Sequence, residues 1–361
     1  MRSARLARLA ALALLAAPPA RAAADPAPRI DVQRIADGVY AVVRREPPGF
    51  GFEANSVFIV GERDVIVVDA QFTPSSTQEV LAALRRLTPK PVKYVVTTHW
   101  HVDHVTGNQV WRDSFPGVEF VAHAATRADL EREGIPGQAR FVAALPGVIG
   151  RFRALLEKGE SMAGGPMSAS ERAGLASDTL LIARYLAEAP AMRPVLPTLT
   201  FEDRITLRLG AREVEVRHAG RGHTRGDAVV LLPAEGILVA GDLVVAPVPL
   251  VGTTSFPNDY GATLDSLLAL RPRIIVPGHG PVMRDDGHVR AMSRMLASVR
   301  AQVAAAVARG ETLEQARRAV SLDEFRARFA GDDPMLQLLF ATYVAEPAVA
   351  RAWEDATAAR R

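Results

Sequence analysis

Residues 99–104 read His-Trp-His-Val-Asp-His, and they are the most informative part of the chain. Four side chains able to bind a metal occur within six positions, and three of the eight histidines are among them. The stretch directly follows the apolar, β-branched run at 94–98 (Tyr-Val-Val-Thr-Thr), which predicts a buried strand. Packing alone does not explain a strand that ends in such a cluster, because buried polar groups need partners. We therefore predict a metal site at the end of this strand.

Three further candidate ligands follow predicted strands downstream. The alternating run Glu213–His218 leads into a Gly-rich turn that presents His223. The apolar run Gly236–Ala240 stops before Gly-Asp, which presents Asp242, and the run Ile274–Gly280 contains Pro-Gly-His-Gly. Each time, a glycine permits tight backbone geometry where the strand stops. Ligands commonly gather at the carboxyl ends of strands in α/β folds, so we expect these strand ends to meet at one edge of a sheet.

The order and spacing of these motifs resemble the metallo-β-lactamase superfamily. His-x-His-x-Asp-His, Gly-His-Thr, Gly-Asp and Pro-Gly-His-Gly occur in that order over residues 55–281, about 60% of the chain. The resemblance implies an α/β fold, a four-layer αββα sandwich with a dinuclear metal site between its two sheets. The implied ligands are His99, His101 and His223 for the first metal, Asp103, His104 and His279 for the second, and Asp242 as a bridge between both.

The ligand types support a metal site independently of the resemblance. Imidazole nitrogens with few carboxylates suit zinc, and a catalytic zinc keeps one position open for water. Iron or manganese would fit the same ligands, since affinity alone does not select the metal. Two metals about 3.5–4 Å apart can share a hydroxide, because they lower the pKa of the water toward roughly 7. We therefore expect two Zn²⁺ ions and a metal-bound hydroxide as nucleophile, with Asp103 orienting it as well as binding metal.

Three residues outside the metal motifs are candidates for supporting roles. Asp69 ends the predicted strand Val65–Val68, and ligating histidines usually donate their second ring N–H to a carboxylate or carbonyl. We predict that Asp69 orients a ligand, with a strand-end turn residue as the alternative. In the family, a loop at the position of residues 44–52 overhangs the metals, which makes Phe50 and Phe52 candidate substrate contacts. The alternative is a hairpin whose two Phe side chains fold back onto the core.

The N-terminus has the three parts of an export signal. Arg2, Arg5 and Arg8 form a basic region, Leu9–Ala17 is apolar, and small residues at 20–24 offer cleavage sites. The apolar run is too short for a bilayer span, which needs about 20 residues. We expect cleavage of residues 1–24, no stable membrane span afterwards, and location in a bacterial periplasm. An uncleaved anchor is the alternative.

Charge and composition narrow the class of partner. The formal net charge is +3, and removal of residues 1–24 takes away four arginines and no acid, which leaves about −1. We find no dense Lys/Arg patch with interleaved aromatics, so nucleic acid is not the expected partner. We expect a small-molecule substrate instead.

The chain contains no cysteine, which excludes disulfides. It also excludes the zinc β-lactamase subclasses that have Cys at the position of Asp242. By resemblance, another subclass has Ser at this position. With a bridging Asp at this position, the chain resembles the glyoxalase II, lactonase, sulfatase and phosphodiesterase branches of the superfamily.

The rest of the chain divides around the motifs. Residues 25–284 are predicted to form the metallo-β-lactamase domain, interrupted by a helical insertion at 125–196. Its helices are expected at Arg140–Lys158 and Ser168–Ala187, the second beginning with a capping box from Ser168 to Glu171. The insertion would be a lid over the site or an oligomer contact, so a homo-oligomer remains open.

Residues 285–361 are predicted to be a helical extension packed on the sandwich. Val289–Arg309 has the pattern of a long helix. Thr312 and Ser321 each fit a capping box, and Pro347 suits the first turn of a last helix.

The function predicted from these features is an exported dinuclear-metal hydrolase acting on an ester, thioester, lactone, lactam or similar bond. The alternatives are a β-lactamase, which Asp242 argues against, and a glyoxalase II-like thioesterase. A single-iron oxidoreductase using His99, His223 and Asp242, or a non-catalytic metal-binding module, would belong to different classes.

Overall fold

The structure is a computed structural model that describes residues 30–51 and 53–358. The predicted export segment 1–24 and the candidate substrate contact Phe52 lie outside these residues. The first sheet consists of neighbouring strands in chain order: β1 (Ile30–Ala36), β2 (Val39–Arg44), β3 (Ser56–Val60), β4 (Val65–Val68), β5 (Val92–Val96), β6 (Glu119–His123) and β7 (Leu199–Phe201). The second sheet has the order β12 (Ile274–His279), β11 (Ile237–Val245), β10 (Ala228–Leu232), β9 (Arg212–His218) and β8 (Arg204–Leu209).

The described helices cluster on the outer faces of the sheets, in the insertion and in the C-terminal extension. They are α1 (Pro74–Leu87), α2 (Val102–Val105), α3 (Asn108–Ser114), α4 (Ala124–Asp129), α5 (Ile135–Lys158), α6 (Ala169–Glu188), α7 (Pro257–Ala269), α8 (Gly287–Ala308), α9 (Leu313–Ala319), α10 (Asp323–Ala330), α11 (Pro334–Phe340) and α12 (Glu346–Ala358). Segments of π-helix, Leu130–Gly134 and Ala341–Ala345, join α4 to α5 and α11 to α12. Within the described ranges, no helix combines the length and apolar character needed to cross a bilayer.

Three apolar clusters hold the layers together. The two sheets face each other through buried β-branched and aliphatic residues such as Val57, Val216 and Val239. The outer face of the first sheet packs against α1 and α3, and that of the second packs against α7, α8 and the C-terminal helices. Because alternate side chains of a strand point to opposite faces, strands buried on both sides read as continuous apolar runs. The predicted four-layer αββα sandwich is confirmed.

The insertion contains the two long helices that the sequence indicated. Helix α5 begins at Ile135 rather than at Arg140, because the π-helical segment continues α4 into it, and it ends at Gly159 with φ +69°. Ser168 caps α6 as predicted. The rest of the predicted capping box, a hydrogen bond from the Ser168 N–H to the Glu171 side chain, is wrong. The Glu171 carboxylate instead accepts a hydrogen bond from the Met162 N–H at 2.7 Å, which ties α6 to the turn before it.

The C-terminal helices share one continuous apolar cluster with the second sheet. The Thr312 capping box forms, whereas the one predicted at Ser321 is wrong: α10 begins one residue later, at Asp323. The buried Leu322 takes the N-cap position without a side-chain hydrogen bond to the helix. Pro347 lies in the first turn of α12, but α12 continues a helical path that starts at Pro334.

Candidate metal centre

The loop that follows β5 delivers the first ligand-type side chains. His99 and His101 lie in the loop itself, and Asp103 and His104 lie on the single-turn helix α2. His223 comes from the turn after β9, and His279 is the last residue of β12. All of them approach the same edge of the sandwich.

Asp242 reaches the site from within β11, not from beyond its end. The sequence predicted that the strand stops at Ala240, but it continues to Val245. Gly241 has φ +52°, and the register with β12 shifts on either side of it. A Cβ at Gly241 would lie 2.7 Å from Thr98 side-chain atoms, so only glycine fits this close crossing of the two sheets.

The seven predicted side chains form two groups. In the first, the Nδ1 atom of His101 lies 3.2 Å from Nε2 of His99 and 2.9 Å from Nε2 of His223. In the second, Nε2 of His279 lies 3.1 Å from Oδ2 of Asp103, which is 3.3 Å from Nε2 of His104. The two groups are adjacent, and each could hold one metal ion.

The carboxylate of Asp242 faces both groups. Its Oδ1 lies 3.3 Å from Nε2 of His104 and 3.3 Å from Nε2 of His279. Its Oδ2 lies 3.8 Å from Nε2 of His99 and 3.6 Å from Nε2 of His223. One oxygen is therefore directed to each group, which is the arrangement of a bridging ligand.

The spacing and the unsatisfied atoms fit metal ions. A tetrahedral zinc with bonds of about 2.0–2.1 Å separates its ligand atoms by about 3.3 Å, close to the spacing within each group. Among the residues that the structure describes, the buried atoms Asp103 Oδ2, His104 Nε2 and Asp242 Oδ1 form no hydrogen bond. Buried polar atoms are rarely left so, and a cation between them would supply the missing interaction.

Every histidine of the cluster is also oriented by a protein oxygen on its other ring nitrogen. The five oxygens are Thr98 Oγ1 for His99 (3.1 Å), Thr254 Oγ1 for His101 (3.2 Å), Asp69 Oδ2 for His104 (2.8 Å), the Leu250 carbonyl for His223 (3.2 Å) and the Glu53 carbonyl for His279 (3.0 Å). These contacts orient each imidazole so that its other ring nitrogen faces one of the two groups, as a metal ligand requires. Only Asp69 was predicted from the sequence.

Asp69 makes three hydrogen bonds at the end of β4. Its Oδ1 accepts from the Thr98 N–H at 2.8 Å, and its Oδ2 accepts from the Thr98 hydroxyl at 2.8 Å as well as from His104 Nδ1. The Thr98 hydroxyl in turn accepts from Nδ1 of His99. Asp69 thereby positions one histidine of each group.

The pKa values of the histidines shift in opposite directions in the two groups. Burial lowers the pKa of His99, His101 and His223, that of His101 to about 3, so the first group offers neutral imidazoles. Burial would also lower the pKa of His104 and His279, but the neighbouring carboxylates raise both, that of His279 to about 10. The second group therefore holds protons that a divalent ion would displace on binding.

Gly278 packs against the carboxylate of Asp242. A Cβ there would lie 1.9 Å from Oδ1 of Asp242 and 2.8 Å from the carbonyl carbon of Gly241. The glycine in Pro-Gly-His-Gly is therefore required by the approach of β12 to Asp242.

Phe50 lies half-buried between the insertion and the extension, and its role as a substrate contact stays a prediction. Its ring centroid lies 6.2 Å from that of Phe152 and 6.0 Å from that of Tyr343. The buried carboxylate of Asp178 on α6 accepts from the N–H groups of Phe50 (2.8 Å) and Gly51 (3.0 Å). The Tyr343 hydroxyl donates to the Phe50 carbonyl at 2.7 Å.

Two cavities adjoin the cluster. One of about 330 Å³ lies beside His279, and another of about 520 Å³ lies beside His101 and His223. Both are lined by Leu250 and by Tyr343 of the extension. No residue of the insertion lines either cavity. Tyr343 could not be predicted as a residue of the site, because it belongs to no motif and lies far along the chain from the last one.

Comparisons with known proteins agree with this geometry. The family model for the metallo-beta-lactamase superfamily matches residues 49–279, more than half of the chain. A linear primary-alkylsulfatase from Pseudomonas sp. (strain ATCC 19151) is 27% identical over 237 residues, which cover 64% of this chain and 42% of the relative. A metallo-beta-lactamase type 2 from Bacillus sp. (strain 170) is 32% identical over 126 residues, 33% of this chain and 47% of the relative. The chain thus spans less than half the length of these relatives.

Solved structures resemble the fold at low identity. A metallo-beta-lactamase from Pontibacter korlensis aligns with a TM-score of 0.52 and 18% identity over 74% of this chain and 99% of its own. One from Erythrobacter litoralis aligns with a TM-score of 0.51 and 17% identity over 74% of this chain and 96% of its own.

Proposed function

The chain belongs to the metallo-β-lactamase superfamily and is a metal-dependent hydrolase, and from this premise we propose that it uses two zinc ions to hydrolyse an ester, thioester, lactone, lactam or similar bond of a small molecule. The observation that carries the proposal is the carboxylate of Asp242, which directs one oxygen to each of two ligand groups. A site for one metal does not need such a residue.

The residues have distinct tasks in this proposal. His99, His101 and His223 would hold one ion, Asp103, His104 and His279 would hold the other, and Asp242 would offer one carboxylate oxygen to each. When bound, the two ions supply activation of a water molecule and polarisation of the scissile bond.

Asp103 is the carboxylate suited to handle the proton. Its side chain is 10% exposed, whereas that of Asp242 is 1% exposed, so Asp103 is the more accessible of the two carboxylates. It can accept a hydrogen bond from the attacking water and orient it toward the substrate. Leu250 and Tyr343 limit the access of further water.

The metal is proposed as zinc because imidazole dominates the donor set, and iron or manganese would fit the same ligands. The test is to remove all metal, add back zinc, manganese or iron in steps, and follow both stoichiometry and turnover. We expect activity to grow up to two ions per chain. Full activity at one tightly bound ion would reject the dinuclear proposal and would favour a single-metal enzyme. Asp242→Ala, compared with the exposed Asp37→Ala, should lose the second ion.

A β-lactamase is the second candidate. The identity with the Bacillus enzyme and the fold of the solved relatives favour it. The carboxylate at Asp242 opposes it, because some zinc β-lactamase subclasses have Cys at that position, and the subclass with the matching first motif resembles Ser there. Nitrocefin belongs beside carboxylic esters, thioesters, lactones and sulfate esters in the substrate panel. Turnover of nitrocefin far above the other substrates would select the β-lactamase.

Export is proposed from the sequence of residues 1–24. Expression of the full chain in a Gram-negative host, followed by fractionation and N-terminal sequencing, tests it. The periplasmic protein should begin near residue 25. A soluble cytoplasmic protein that begins at Met1 would reject the proposal.

A further inference from the structure

The cavity beside His279 has a lining that differs from the rest of the site. Its walls come from the segment after β11, which supplies Val248 and Leu250, and from α11, which supplies Leu336 and Leu339. Pro48 of the Phe50 loop lines it as well. Since these side chains are aliphatic, the cavity favours an apolar group of the ligand.

The charged residues of this cavity are already paired. Arg44 lines it, and the Arg44 side chain is only 5% exposed. Its NH2 atom lies 2.7 Å from Glu46 and 3.8 Å from Glu53, and its NH1 atom lies 3.7 Å from Glu79. Three carboxylates around one guanidinium leave no cationic charge for a ligand. A carboxylate or phosphate at the far end of a substrate would therefore be repelled.

The second cavity, beside His101 and His223, includes hydroxyl-bearing residues in its lining. These are Thr253, Thr254 and Thr342, and the lining also contains Arg317 and Glu346, whose charged groups lie 3.7 Å apart. The two cavities share Tyr343 and Leu250 in their linings.

We propose that the cavity beside His279 is a subsite for an uncharged aliphatic chain, and that the substrate is an ester carrying such a chain. The inference rests on the proposed function for the reaction, but the binding subsite itself does not. Hydrolysis of a carboxylic ester breaks the acyl C–O bond, with the OH of water added to the acyl carbon and its remaining proton transferred to the alcohol. For a sulfate ester, the OH of water is added to sulfur, the S–O bond to the alkyl oxygen breaks, and the remaining proton is transferred to the alkyl alcohol that is released.

The first measurement is turnover along two homologous series. One is p-nitrophenyl alkanoates from C2 to C12, and the other is linear alkyl sulfates from C6 to C10, below their micelle concentrations. The kcat/KM should rise with chain length up to the capacity of the cavity, in one series or both, and the series that is hydrolysed identifies the ester class. The same kcat/KM for short and long chains in the preferred series would overturn the inference.

The second measurement does not depend on catalysis. Binding of 1-alkanols from hexanol to decanol is followed by calorimetry on metal-loaded and metal-free protein. Each CH₂ buried in the cavity should strengthen binding by about fourfold. If the alkanols bind in this way but no ester is hydrolysed, the assignment of an ester substrate is wrong and the subsite stands; the proposed function fails only if thioesters, lactones and lactams are not hydrolysed either. If esters are hydrolysed but the alkanols show no chain-length dependence, the subsite is wrong.

A matched pair of variants on α11 localises the effect. Leu336→Trp fills the cavity, so it should lower kcat/KM for the longest good substrate at least tenfold and flatten the rise of kcat/KM with chain length. Leu338→Trp lies on the same helix, but Leu338 does not line the cavity, so it should leave the chain-length profile unchanged. If Leu336→Trp does not fold, Leu336→Ser should reduce the gain per CH₂ in the binding series. Equal profiles for the Leu336 and Leu338 variants would refute the assignment.

Discussion

Replacement of Asp69 by Asn separates an orienting role from a structural one. Asp69 has φ +59°, a left-handed conformation that Asn adopts about as readily as Asp. If Asp69 is only the turn residue at the end of β4, Asn should be tolerated. If it orients His104, the new NH₂ group must harm the site, because every partner of the carboxylate in the structure is a donor.

The size of the effect follows from those three hydrogen bonds. In one orientation of the amide, its NH₂ faces the Thr98 N–H, and in the other it faces the Thr98 hydroxyl and Nδ1 of His104. A buried donor left without an acceptor costs about 1–3 kcal/mol, which corresponds to roughly 5–150-fold in an equilibrium constant. Loss of a residue that orients a metal ligand typically weakens metal binding by about 10–100-fold. We expect a loss in that range for the second metal, and a smaller one for the first.

The assay is competition for zinc against chelators of graded affinity, with occupancy of each site resolved by stoichiometry. Asp37→Asn is the control, because Asp37 is an exposed turn carboxylate whose side chain is 92% exposed. Circular dichroism and urea unfolding of the metal-free proteins show whether the fold is retained. Zinc affinities of Asp69→Asn within twofold of those of Asp37→Asn, in a folded protein, would refute the orienting role.

Three further predictions concern other contacts. Gly278→Ala should lower second-metal occupancy in a folded protein, because its Cβ would lie 1.9 Å from Asp242 Oδ1; full metal content would contradict this. Tyr343→Phe removes the hydrogen bond to the Phe50 carbonyl, so it should lower the free energy of unfolding by about 0.5–1.5 kcal/mol; an unchanged urea midpoint would show that this bond contributes nothing. Burial raises the pKa of Asp178 to about 7, although two N–H donors lower it. Because this folded-state pKa lies above the unfolded value of 3.8, wild type should lose stability relative to Asp178→Asn as pH rises from about 4 to 7; a difference in unfolding free energy that is equal at pH 5 and pH 8 would exclude it.

The clustering of the seven ligand-type side chains could be predicted because each of them lies in a recognisable local sequence pattern. A ligand type, an adjacent glycine and a preceding apolar run occur together at His223, Asp242 and His279. The structure explains why glycine is needed at two of these positions. A Cβ at Gly241 would collide with the Thr98 side chain, and a Cβ at Gly278 would collide with the carboxylate of Asp242. The alternating and continuous apolar runs likewise predict the strands that form the two sheets of the sandwich.

Other features depend on neighbours that are distant in sequence, so no local pattern reveals them. Thr254 and the carbonyls of Glu53 and Leu250 meet the histidines only because the two sheets bring their loops together. The continuation of β11 through Asp242 depends on its pairing with β12. The capping patterns at Thr312 and Ser321 look alike, but burial of Leu322 decides where the second helix starts.

Leu339 belongs at once to the large apolar cluster under the second sheet and to the wall of the cavity beside His279. A substitution that reshapes the cavity at this position therefore also removes or overpacks core volume, which typically costs 1–5 kcal/mol. Natural proteins have little stability in reserve, so selection for a new substrate at this wall is constrained by the need to remain folded. Variation in substrate choice should accumulate first at positions such as Leu336, which lines the cavity from only a partly buried site. A directed-evolution library would reach new specificities most readily from a stabilised parent.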